Sequence, residues 1–247
     1  MSIVAAAQAL HAARRDGQRI DLVSNRWPDI GLDEARKVAQ QFVALSGEAH
    51  IGFKLGFTSA AMRDQMGIAE PNYGVLTADM AVERLDWSCL VHPRVEPEIA
   101  LVTSKPIMGI SEVTPSAIAA VHAAIEIVDT RYIEYRFTLI DNTADNSSAA
   151  GFVLGRVAPV SVLDSGPITV AFDDGEGGTI SGNSDAALGG PLKALAWLAD
   201  ARAKEGMIIP AGSIILTGGL TRAPYLLRGA LMVADFGELG RLSVNRG

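Results

Sequence analysis

The sequence predicts an α+β fold with a mostly β core and a small helical region at the N-terminus. Helical patterns of apolar residues occupy the early part of the chain, and strand-like patterns dominate from the middle onward. Helices and strands alternate too sparsely for a doubly wound parallel sheet. We therefore expect a single domain of 247 residues, with a helical region over residues 1–48 and a mostly β core over residues 49–247.

The composition is that of an ordinary globular protein. Hydrophobic residues make up 49% of the chain, which allows a sizeable core without disulfides. The single cysteine, Cys89, excludes an intramolecular disulfide and a thiolate zinc site, and it favours a reducing compartment such as the cytoplasm. The net charge is −7, and Lys and Arg are scattered along the sequence, so it shows no basic cluster of the kind that binds nucleic acid. A small ligand met by local cations is the expected partner.

The first two predicted elements are helices. Residues 1–17 are amphipathic, are interrupted by Gln8 and His11, and lack the basic leader of a secretion signal, so we expect a helix there. Apolar residues recur at helical spacing over residues 32–45, and Gly47 follows as a stop signal. No segment reaches the roughly 18 to 20 uninterrupted apolar residues of a membrane-spanning helix. We therefore expect no contact with a membrane.

The next elements are predicted to be short. Residues 50–57 alternate like a strand and place Lys54 near its junction with a turn. Thr58 or Ser59 can then cap a short helix that continues through Met66. Lys54 interrupts an apolar pattern. Taken alone, it is explained equally well as a strand-edge lysine with its ammonium group in water and as a functional residue.

The middle of the chain predicts strands with one helix between them. Residues 81–104 are strand-like, with turns at residues 86–88 and at Pro93. A helix is predicted over residues 115–123, because a proline at the first helical position favours helix initiation. It runs directly into an apolar strand over residues 124–132.

The last third is predicted to be rich in strands. The Gly-rich residues 173–183 indicate a hairpin, and residues 190–206 indicate a helix with a proline near its start and a glycine just past its end. Asp, Asn and Ser cluster over residues 141–151, which is typical of a turn whose side chains can also line a pocket. The other strands are predicted at residues 151–155, 168–172, 213–220 and 230–244.

Two glutamates, Glu96 and Glu98, stand one residue apart in a predicted strand. Residues two apart on a strand point to the same face, so the two side chains would share one site. Two buried carboxylates repel each other unless a proton or a cation neutralises them. Hard oxygen ligands of this kind suit Mg²⁺ or Mn²⁺. The alternative is a solvated strand face that carries both glutamates on its outside.

Other charged and glycine residues interrupt apolar patterns. Glu126 lies among apolar residues of a predicted buried strand, where a lone glutamate needs a partner. Gly218 and Gly219 directly follow an apolar strand and would let backbone N–H groups approach an anion closely. An unusual turn explains these two glycines equally well.

Several segments follow one another in an order and spacing too specific for chance: GFKLGFTSAAM, PNYGVLTADM, HPRVEPEIALV, IEIVDTRY, TADNSSAAGFVLG, GGPLKALAWLA and ILTGGLT. In these segments the chain resembles the 2-keto-4-pentenoate hydratase and 4-oxalocrotonate decarboxylase family of the fumarylacetoacetate hydrolase superfamily. The resemblance extends from about Ile51 to the end of the chain, and the N-terminal helices fit it. It implies a mostly β core of the fumarylacetoacetate hydrolase type.

The resemblance also implies roles for individual residues. The family's ligands for a divalent metal, Mg²⁺ or Mn²⁺, map onto Glu96, Glu98 and Glu126. Its catalytic positions map onto Lys54, Asp79 and Ser148. Lys54 would hold the substrate carboxylate or move a proton if burial and nearby cations lower its pKa, and Asp79 would orient it or act as the base. Family members usually have the sequence G-H-P where this chain has Gly189, Gly190 and Pro191, so no role of that histidine is carried over.

The implied chemistry is that of a metal-dependent lyase. A 2-oxo acid bound to a divalent ion through its carboxylate and keto oxygens has a sink for electrons. That sink serves decarboxylation of 2-oxo-3-hexenedioate, which is 4-oxalocrotonate, in the meta-cleavage catabolism of aromatic compounds. It also serves hydration of 2-hydroxypenta-2,4-dienoate or of a longer 2-oxo-alkenedioate. Residues 128–140 are more similar to decarboxylases and residues 218–224 to hydratases of a dicarboxylate, and we expect decarboxylation ahead of hydration.

A substrate with a second carboxylate needs a further cation. Arg131, Arg136 and Arg222 are candidates, because a guanidinium fork matches a carboxylate, although each of them alone is more often part of a structural pair. With the two glycines, Arg131 and Arg222 complete the predicted substrate-binding set. Hydrolytic C–C cleavage and a non-catalytic partner subunit are the less favoured functions. The resemblance further implies a homo-oligomer that associates with a paired hydratase or decarboxylase.

Overall fold

A computed structural model of the chain describes residues 1–173 and 175–247. Within them the helices are α1 (Ile3–Arg15), α2 (Val23–Arg26), α3 (Leu32–Ala44), α4 (Ala60–Met66), α5 (Leu139–Ala144) and α6 (Pro191–Lys204). The strands are β1 (His50–Gly56), β2 (Asn72–Thr77), β3 (Arg94–Thr103), β4 (Ile118–Val128), β5 (Ala149–Ala158), β6 (Thr169–Asp173), β7 (Thr179–Asn183), β8 (Ile214–Leu216), β9 (Leu231–Asp235) and β10 (Arg241–Asn245). The fold is α+β, as predicted.

The strands form two sheets. The larger sheet has six strands in the order β2-β1-β8-β3-β4-β5. In it β8 lies parallel to β1 and antiparallel to β3, and the other neighbours are antiparallel. The smaller sheet has four antiparallel strands in the order β10-β9-β6-β7. The short strand β8 therefore joins the two halves of the large sheet.

The large sheet has two different faces. On one face, side chains such as Leu55 and Ile99 belong to a hydrophobic cluster that also contains residues of the small sheet and of α6. The intervening residues of each strand point to the opposite face. There Ala100 and Ala124 belong to a smaller apolar cluster. The glutamates of β3 and β4 lie on this second face, away from the main core.

The N-terminal helices pack against each other and against the chain segment that follows β4. Ser2 caps α1 by accepting a hydrogen bond from the Ala5 N–H at 3.2 Å. A separate hydrophobic cluster joins Leu10 of α1 and Phe42 of α3 to Tyr132 and to Ala144 of α5. The helical N-terminal region is thus anchored to the chain segment that follows β4.

Most of the predicted elements are confirmed, and the exceptions have clear causes. The helix predicted over residues 115–123 is wrong: Pro115–Ala117 form one 3₁₀ turn and β4 begins at Ile118. This alanine-rich stretch suits a helix or a strand, and pairing with both β3 and β5 decides in favour of the strand. The strand predicted from residue 81 begins only at Arg94.

The polar cluster at residues 141–151 was predicted as a turn, but it begins as helix α5. Thr138 and Asp141 form a capping box that starts this helix. A tight turn, Asn146–Ser148, then leads into β5. In the ranges 1–173 and 175–247, no helix is both long and apolar enough to cross a membrane.

Candidate active site

Three glutamates converge on the second face of the large sheet. Glu96 on β3 is the direct register partner of Glu126 on β4, and Glu98 follows two residues later on the same face of β3. One carboxylate oxygen from each of the three lies within 4.8 Å of the others. The predicted convergence of two strands on one acidic site therefore matches the geometry.

The carboxylates are buried and incompletely paired. Glu98 and Glu126 have no exposed surface. Glu98 Oε1 and Glu126 Oε2 lack a hydrogen-bond partner among the described residues, and Glu126 Oε1 has only the ammonium of Lys54 nearby. Buried anionic oxygens without donors are costly, and a divalent cation satisfies several of them at once. The donor set, all carboxylate oxygen, fits Mg²⁺ or Mn²⁺.

Burial raises the pKa of each of these carboxyl groups. For Glu98 the pKa lies well above its ordinary value, because burial is reinforced by repulsion from Glu126 and Glu96. Burial raises the pKa of Glu126 to about 7, although Lys54 acts in the opposite direction. The pKa of Glu96 is also raised by burial, against the attraction of Lys54 and Arg94. The cluster therefore has a strong electrostatic demand for positive charge.

Lys54 supplies part of that charge. Its Nζ lies 3.2 Å from Glu126 Oε1, and the side chain is 3% exposed. Burial on its own would lower the pKa of Lys54, but Glu126, Glu96 and Glu98 together outweigh burial and hold the pKa above its ordinary value. The condition that the sequence analysis set for proton transfer by a lysine with a lowered pKa is therefore not met in the chain without a bound ion. The ammonium form is the one that faces the cavity.

Gly218 positions one of the glutamates. Its N–H donates a hydrogen bond of 2.8 Å to Glu98 Oε2. Its φ of +112° suits glycine, and a Cβ at this position would lie 2.1 Å from Thr58 Oγ1. Gly218 therefore supports Glu98, whereas the prediction had its N–H group approach a substrate anion. Gly219 does line the cavity described next, beside Glu96.

A cavity of about 530 Å³ opens beside the glutamates, within the range of small-molecule sites. Lys54 and Glu96 lie at its floor, and Ser148 and Arg222 also line it. Aromatic rings form part of its wall: Phe57, Tyr135 and Phe137. The predicted residues Lys54, Glu96, Ser148, Gly219 and Arg222 are thus brought together around one cavity.

A buried polar network orients the hydroxyl groups in this wall. Asn142 Nδ2 donates to Ser148 Oγ at 2.8 Å, and Asn72 Nδ2 donates to Asn142 Oδ1 at 2.8 Å. Ser147 Oγ donates to Asn72 Oδ1 at 2.9 Å. Sequence reasoning missed Asn72, Asn142 and Ser147 as site residues. The polar cluster that contains two of them was expected to form a turn whose side chains can line a pocket, but of its residues only Ser148 was assigned to the site.

Arg94 is another cavity residue that the sequence reasoning missed. It precedes Glu96 by two positions on β3, and its side chain lines the same cavity. Its guanidinium carbon lies 4.6 Å from the centre of the Tyr135 ring and 4.3 Å from that of Tyr225. The alternation that paired Glu96 with Glu98 extends back to Arg94, so the signal was present in the sequence.

Asp79 lies elsewhere. It lines a second cavity of about 280 Å³, together with Arg14 of α1, and the two cavities share no lining residue. Its carboxylate accepts a hydrogen bond from Thr77 Oγ1 at 2.5 Å and lies 3.6 Å from Arg14 Nη2. The structure therefore gives no support to direct contact between Asp79 and a substrate in the glutamate cavity.

Two of the predicted arginines are also held elsewhere. The buried Arg131 donates from Nε to Asp145 Oδ1 at 2.6 Å and from Nη2 to the Asp145 carbonyl at 3.1 Å. It lines the second cavity, so its position lends no support to the prediction that it binds substrate. Arg136 is exposed and lies 2.9 Å from Glu134. Both arginines make the structural pairs that are common for this residue type.

Gly190 has a backbone conformation that disfavours a side chain at this position. Its φ of +127° and ψ of 162° belong to a region that is almost exclusive to glycine. A Cβ there would meet only Asp185 Oδ1, at 3.7 Å, so backbone conformation and not space restricts the residue. Gly190 directly precedes Pro191, the first residue of α6.

Comparisons with known proteins cover nearly the whole chain. The family described as "Fumarylacetoacetate (FAA) hydrolase C-terminal" matches residues 57–245. A 4-oxalocrotonate decarboxylase of Pseudomonas sp is 38% identical over 226 residues, which cover 87% of this chain and 86% of that protein. The 2-keto-4-pentenoate hydratase 1 of Dechloromonas aromatica (strain RCB) is 35% identical over 253 residues, with coverages of 98% and 96%.

A solved structure is similar over the same length. The 4-oxalocrotonate decarboxylase from Pseudomonas putida G7, complexed with magnesium and adipate, has a TM-score of 0.91 at 32% identity. The match covers 98% of this chain and 96% of that one. The names of both lyases therefore occur among relatives that span the helical region as well as the β core.

Proposed function

Because this chain belongs to the fumarylacetoacetate hydrolase family, we propose that it is a divalent-metal-dependent lyase that decarboxylates 2-oxo-3-hexenedioate. The observation that carries the proposal is the convergence of Glu96, Glu98 and Glu126, with unpaired oxygens, beside a cavity. Relatives named 4-oxalocrotonate decarboxylase at 38% identity, and a magnesium-complexed structure of that name at TM-score 0.91, support it.

The metal is proposed to be Mg²⁺ or Mn²⁺, held by Glu96, Glu98 and Glu126. A divalent ion bound there supplies a Lewis acid that draws negative charge onto the keto oxygen of a 2-oxo acid. Glu98 is kept in place for this role by the Gly218 N–H. The apolar sheet layer on either side limits water around the carboxylates, which strengthens their interaction with a cation.

Lys54 is proposed to deliver a proton. When the distal carboxylate leaves as CO₂, the electron pair of the broken C–C bond moves along the conjugated chain to the keto oxygen, which then takes up one proton. The product is 2-hydroxypenta-2,4-dienoate. The glutamates keep Lys54 in its ammonium form, so it can donate that proton or hold the oxygen through a charged hydrogen bond.

Ser148 is proposed to orient the substrate. Its Oγ accepts a hydrogen bond from Asn142 Nδ2, so its own hydroxyl hydrogen remains available for an oxygen in the cavity. Ser147 donates to Asn72, and its lone pairs remain available. The backbone of Asn146–Ser148 has positive φ values of 52°, 53° and 57°, and the network described above holds this strained turn.

The test offers the purified protein 2-oxo-3-hexenedioate and 2-hydroxypenta-2,4-dienoate separately, with Mg²⁺ and with a chelator. We expect CO₂ and 2-hydroxypenta-2,4-dienoate from the first compound, and no hydration of the second.

A second candidate is the hydratase, because a relative of that name is 35% identical over 98% of this chain. Hydration of the dienoate without release of CO₂ from the diacid would establish it in place of the decarboxylase.

The proposal also covers the oligomeric state of the protein and its location in the cell. We propose a homo-oligomer that associates with a paired hydratase or decarboxylase. Large apolar side chains on the surface support an interface: Val157, Leu227 and Leu231 are 67%, 63% and 55% exposed. Light scattering of the purified chain, alone and mixed with a hydratase, tests this. A cytoplasmic location is supported by the single free cysteine, Cys89.

A further inference from the structure

We infer that Arg94 binds the second carboxylate of the substrate and thereby makes the cavity selective for dicarboxylates. This inference rests on the proposed function, since it assigns a role at the same site. The candidates that the sequence suggested for this role were other arginines. Arg94 differs from them in its position, in its surroundings and in the hydrogen-bonding capacity that it retains.

The position of Arg94 follows from the strand. Arg94, Glu96 and Glu98 alternate along β3, so their side chains project from one face of the sheet. Two residues of a strand span about 6.7 Å, which is comparable to the length of a six-carbon diacid. A substrate whose 2-oxo end lies at the glutamates can therefore reach Arg94 with its far end. Both Arg94 and Glu96 line the cavity.

The surroundings of the Arg94 guanidinium suit an anion. Its guanidinium carbon lies within 4.6 Å of the centres of the Tyr135 and Tyr225 rings, and those two rings meet at 67°, so the group sits in an aromatic corner beside the cavity. Apolar rings lower the local dielectric and strengthen a pairing with a carboxylate. Among the residues that the structure describes, Arg94 forms no ion pair with an Asp or Glu within 4.0 Å. Its nearest carboxylate influence is the attraction between its charge and Glu96 on the same strand.

Arg94 also retains donors. A guanidinium has five N–H groups. Nη2 donates to Tyr225 Oη at 3.0 Å, and Nη1 makes a long contact of 3.4 Å with the Ala223 carbonyl. Nε is buried and has no partner among the described residues. The group is therefore anchored by two contacts and still has the capacity to bind a carboxylate with more than one hydrogen bond.

The other cations near the site are less suitable. Lys54 is engaged with Glu126, and Arg131 with Asp145 in the second cavity. Arg136 is not among the residues that line the cavity and pairs with Glu134 on the surface. Arg222 lines the cavity but is exposed, where water screens its charge. Arg94 is thus the cation that the cavity wall holds in place.

The experiment uses two matched ligands, 2-oxohexanedioate and 2-oxohexanoate. Both have six carbons and a 2-oxo acid end, neither has the double bond that decarboxylation requires, and only the first has a second carboxylate. Isothermal titration calorimetry with saturating Mg²⁺ measures their affinities for the wild type. We expect the diacid to bind about 10- to 100-fold more tightly, which corresponds to one charge-assisted contact.

In Arg94→Gln we expect this preference to fall to about threefold or less, while affinity for 2-oxohexanoate and for Mn²⁺ alone stays within about threefold of wild type. Arg136→Gln, which removes a surface arginine outside the cavity, should retain the full preference. Arg94→Lys keeps a positive charge without the planar fork, and its preference should lie between those of wild type and Arg94→Gln. This variant decides the question if the glutamine variant does not fold.

Several outcomes would overturn the inference. An unchanged preference in Arg94→Gln would do so, as would an equal loss of both ligands, which would indicate a structural role. Loss of the preference in Arg222→Gln but not in Arg94→Gln would move the contact to Arg222. If the wild type binds both ligands with Mg²⁺ and only the Arg94 result fails, the proposed function stands. If the wild type binds neither ligand, the proposed function fails as well.

Discussion

The Nζ atom of Lys54 lies 3.2 Å from Oε1 of Glu126, and the two side chains are 3% and 0% exposed. One ammonium group thus faces three carboxylates, so the sheet face carries excess negative charge when no cation is bound. This imbalance makes the stability of the protein sensitive to divalent ions and to each of the four side chains.

We expect Mg²⁺ and Mn²⁺ to stabilise the folded chain, because they bind the native site and not the unfolded chain. At a concentration of 100 times the dissociation constant, the gain in unfolding free energy is about 2.7 kcal/mol. Differential scanning fluorimetry with Mg²⁺, with EDTA, and with NaCl at equal ionic strength measures it. Equal melting temperatures in Mg²⁺ and EDTA would contradict a metal site.

Glu98→Gln should make the metal-free protein more stable and abolish its stabilisation by Mg²⁺. Glutamine cannot ionise, so it removes one of the three carboxyl groups that burial and mutual repulsion disfavour, and we expect the unfolding free energy in EDTA to rise by about 1 kcal/mol or more. The glutamine oxygen can still accept the hydrogen bond from Gly218. Stabilisation by Mg²⁺ and metal-dependent turnover should both be lost.

The control for Glu98→Gln is Glu83→Gln, which changes an exposed glutamate. Its stability in EDTA and its response to Mg²⁺ should both match wild type. A Glu98→Gln variant that is less stable than wild type in EDTA, yet still stabilised by Mg²⁺, would show that Glu98 is a structural residue and not a ligand.

Lys54→Met should have the opposite effect on the metal-free protein. Methionine fills the space of the lysine stem but leaves three buried carboxylates without a cation, and the loss of one buried partner costs about 3–5 kcal/mol. Chemical denaturation in EDTA measures this loss. We expect Mg²⁺ to restore part of the stability but not the turnover. Lys105→Met, at an exposed position, is the control and should leave both unchanged.

Gly190→His should destabilise the chain, because the backbone at φ +127° and ψ 162° disfavours a residue with a Cβ. The expected cost is about 1–3 kcal/mol of unfolding free energy. Gly109→Ala is the matched control, since that glycine has extended backbone and open space at its Cβ. Equal stability of Gly190→His and wild type, measured by urea denaturation, would mean that the backbone adjusts freely at the start of α6.

A pH dependence is expected from His92, whose ring stacks on Tyr135 with centroids 5.0 Å apart. Burial lowers the pKa of His92 below its ordinary value of 6.5, so the folded chain favours the neutral ring. The stability that this ring contributes is present above about pH 6.5 and is lost as the pH falls through the lower folded pKa.

The wild type should therefore lose more unfolding free energy than His92→Phe between about pH 7 and pH 5. Phenylalanine keeps a ring beside Tyr135 but does not titrate. Urea denaturation of both proteins at each pH gives the comparison. Identical pH profiles would exclude a contribution from His92.

The sequence predicted the acidic site better than its surroundings. Strand periodicity is local, so the shared face of Glu96 and Glu98 follows from their spacing alone. Local patterns marked Glu126 and Lys54 as charged residues in apolar strands, but only the family resemblance joined them and Ser148 to this site, because no local pattern indicates which distant strands pair. The register of β3 with β4 supplies the physical reason for the first of these.

The differences between the expectations and the structure arise from tertiary contacts. The helix predicted over residues 115–123 was overruled by pairing on both sides of β4. Arg131 was expected to bind a substrate, but Asp145 holds it, and the two lie 14 positions apart in no recognisable motif. Asp79 lines a second cavity beside Arg14 of α1, and the packing of that helix against it is not revealed by the sequence.

The place of β8 in the large sheet has a consequence for the order of events in folding. Only residues from the last third of the chain separate and align β1, which carries Lys54, and β3, which carries Glu96 and Glu98. The donor that steadies Glu98 also comes from 120 positions further along the chain. A chain still emerging from the ribosome therefore holds its acidic residues in an unfinished arrangement until residues 214–218 have been made and β8 has taken its place in the sheet.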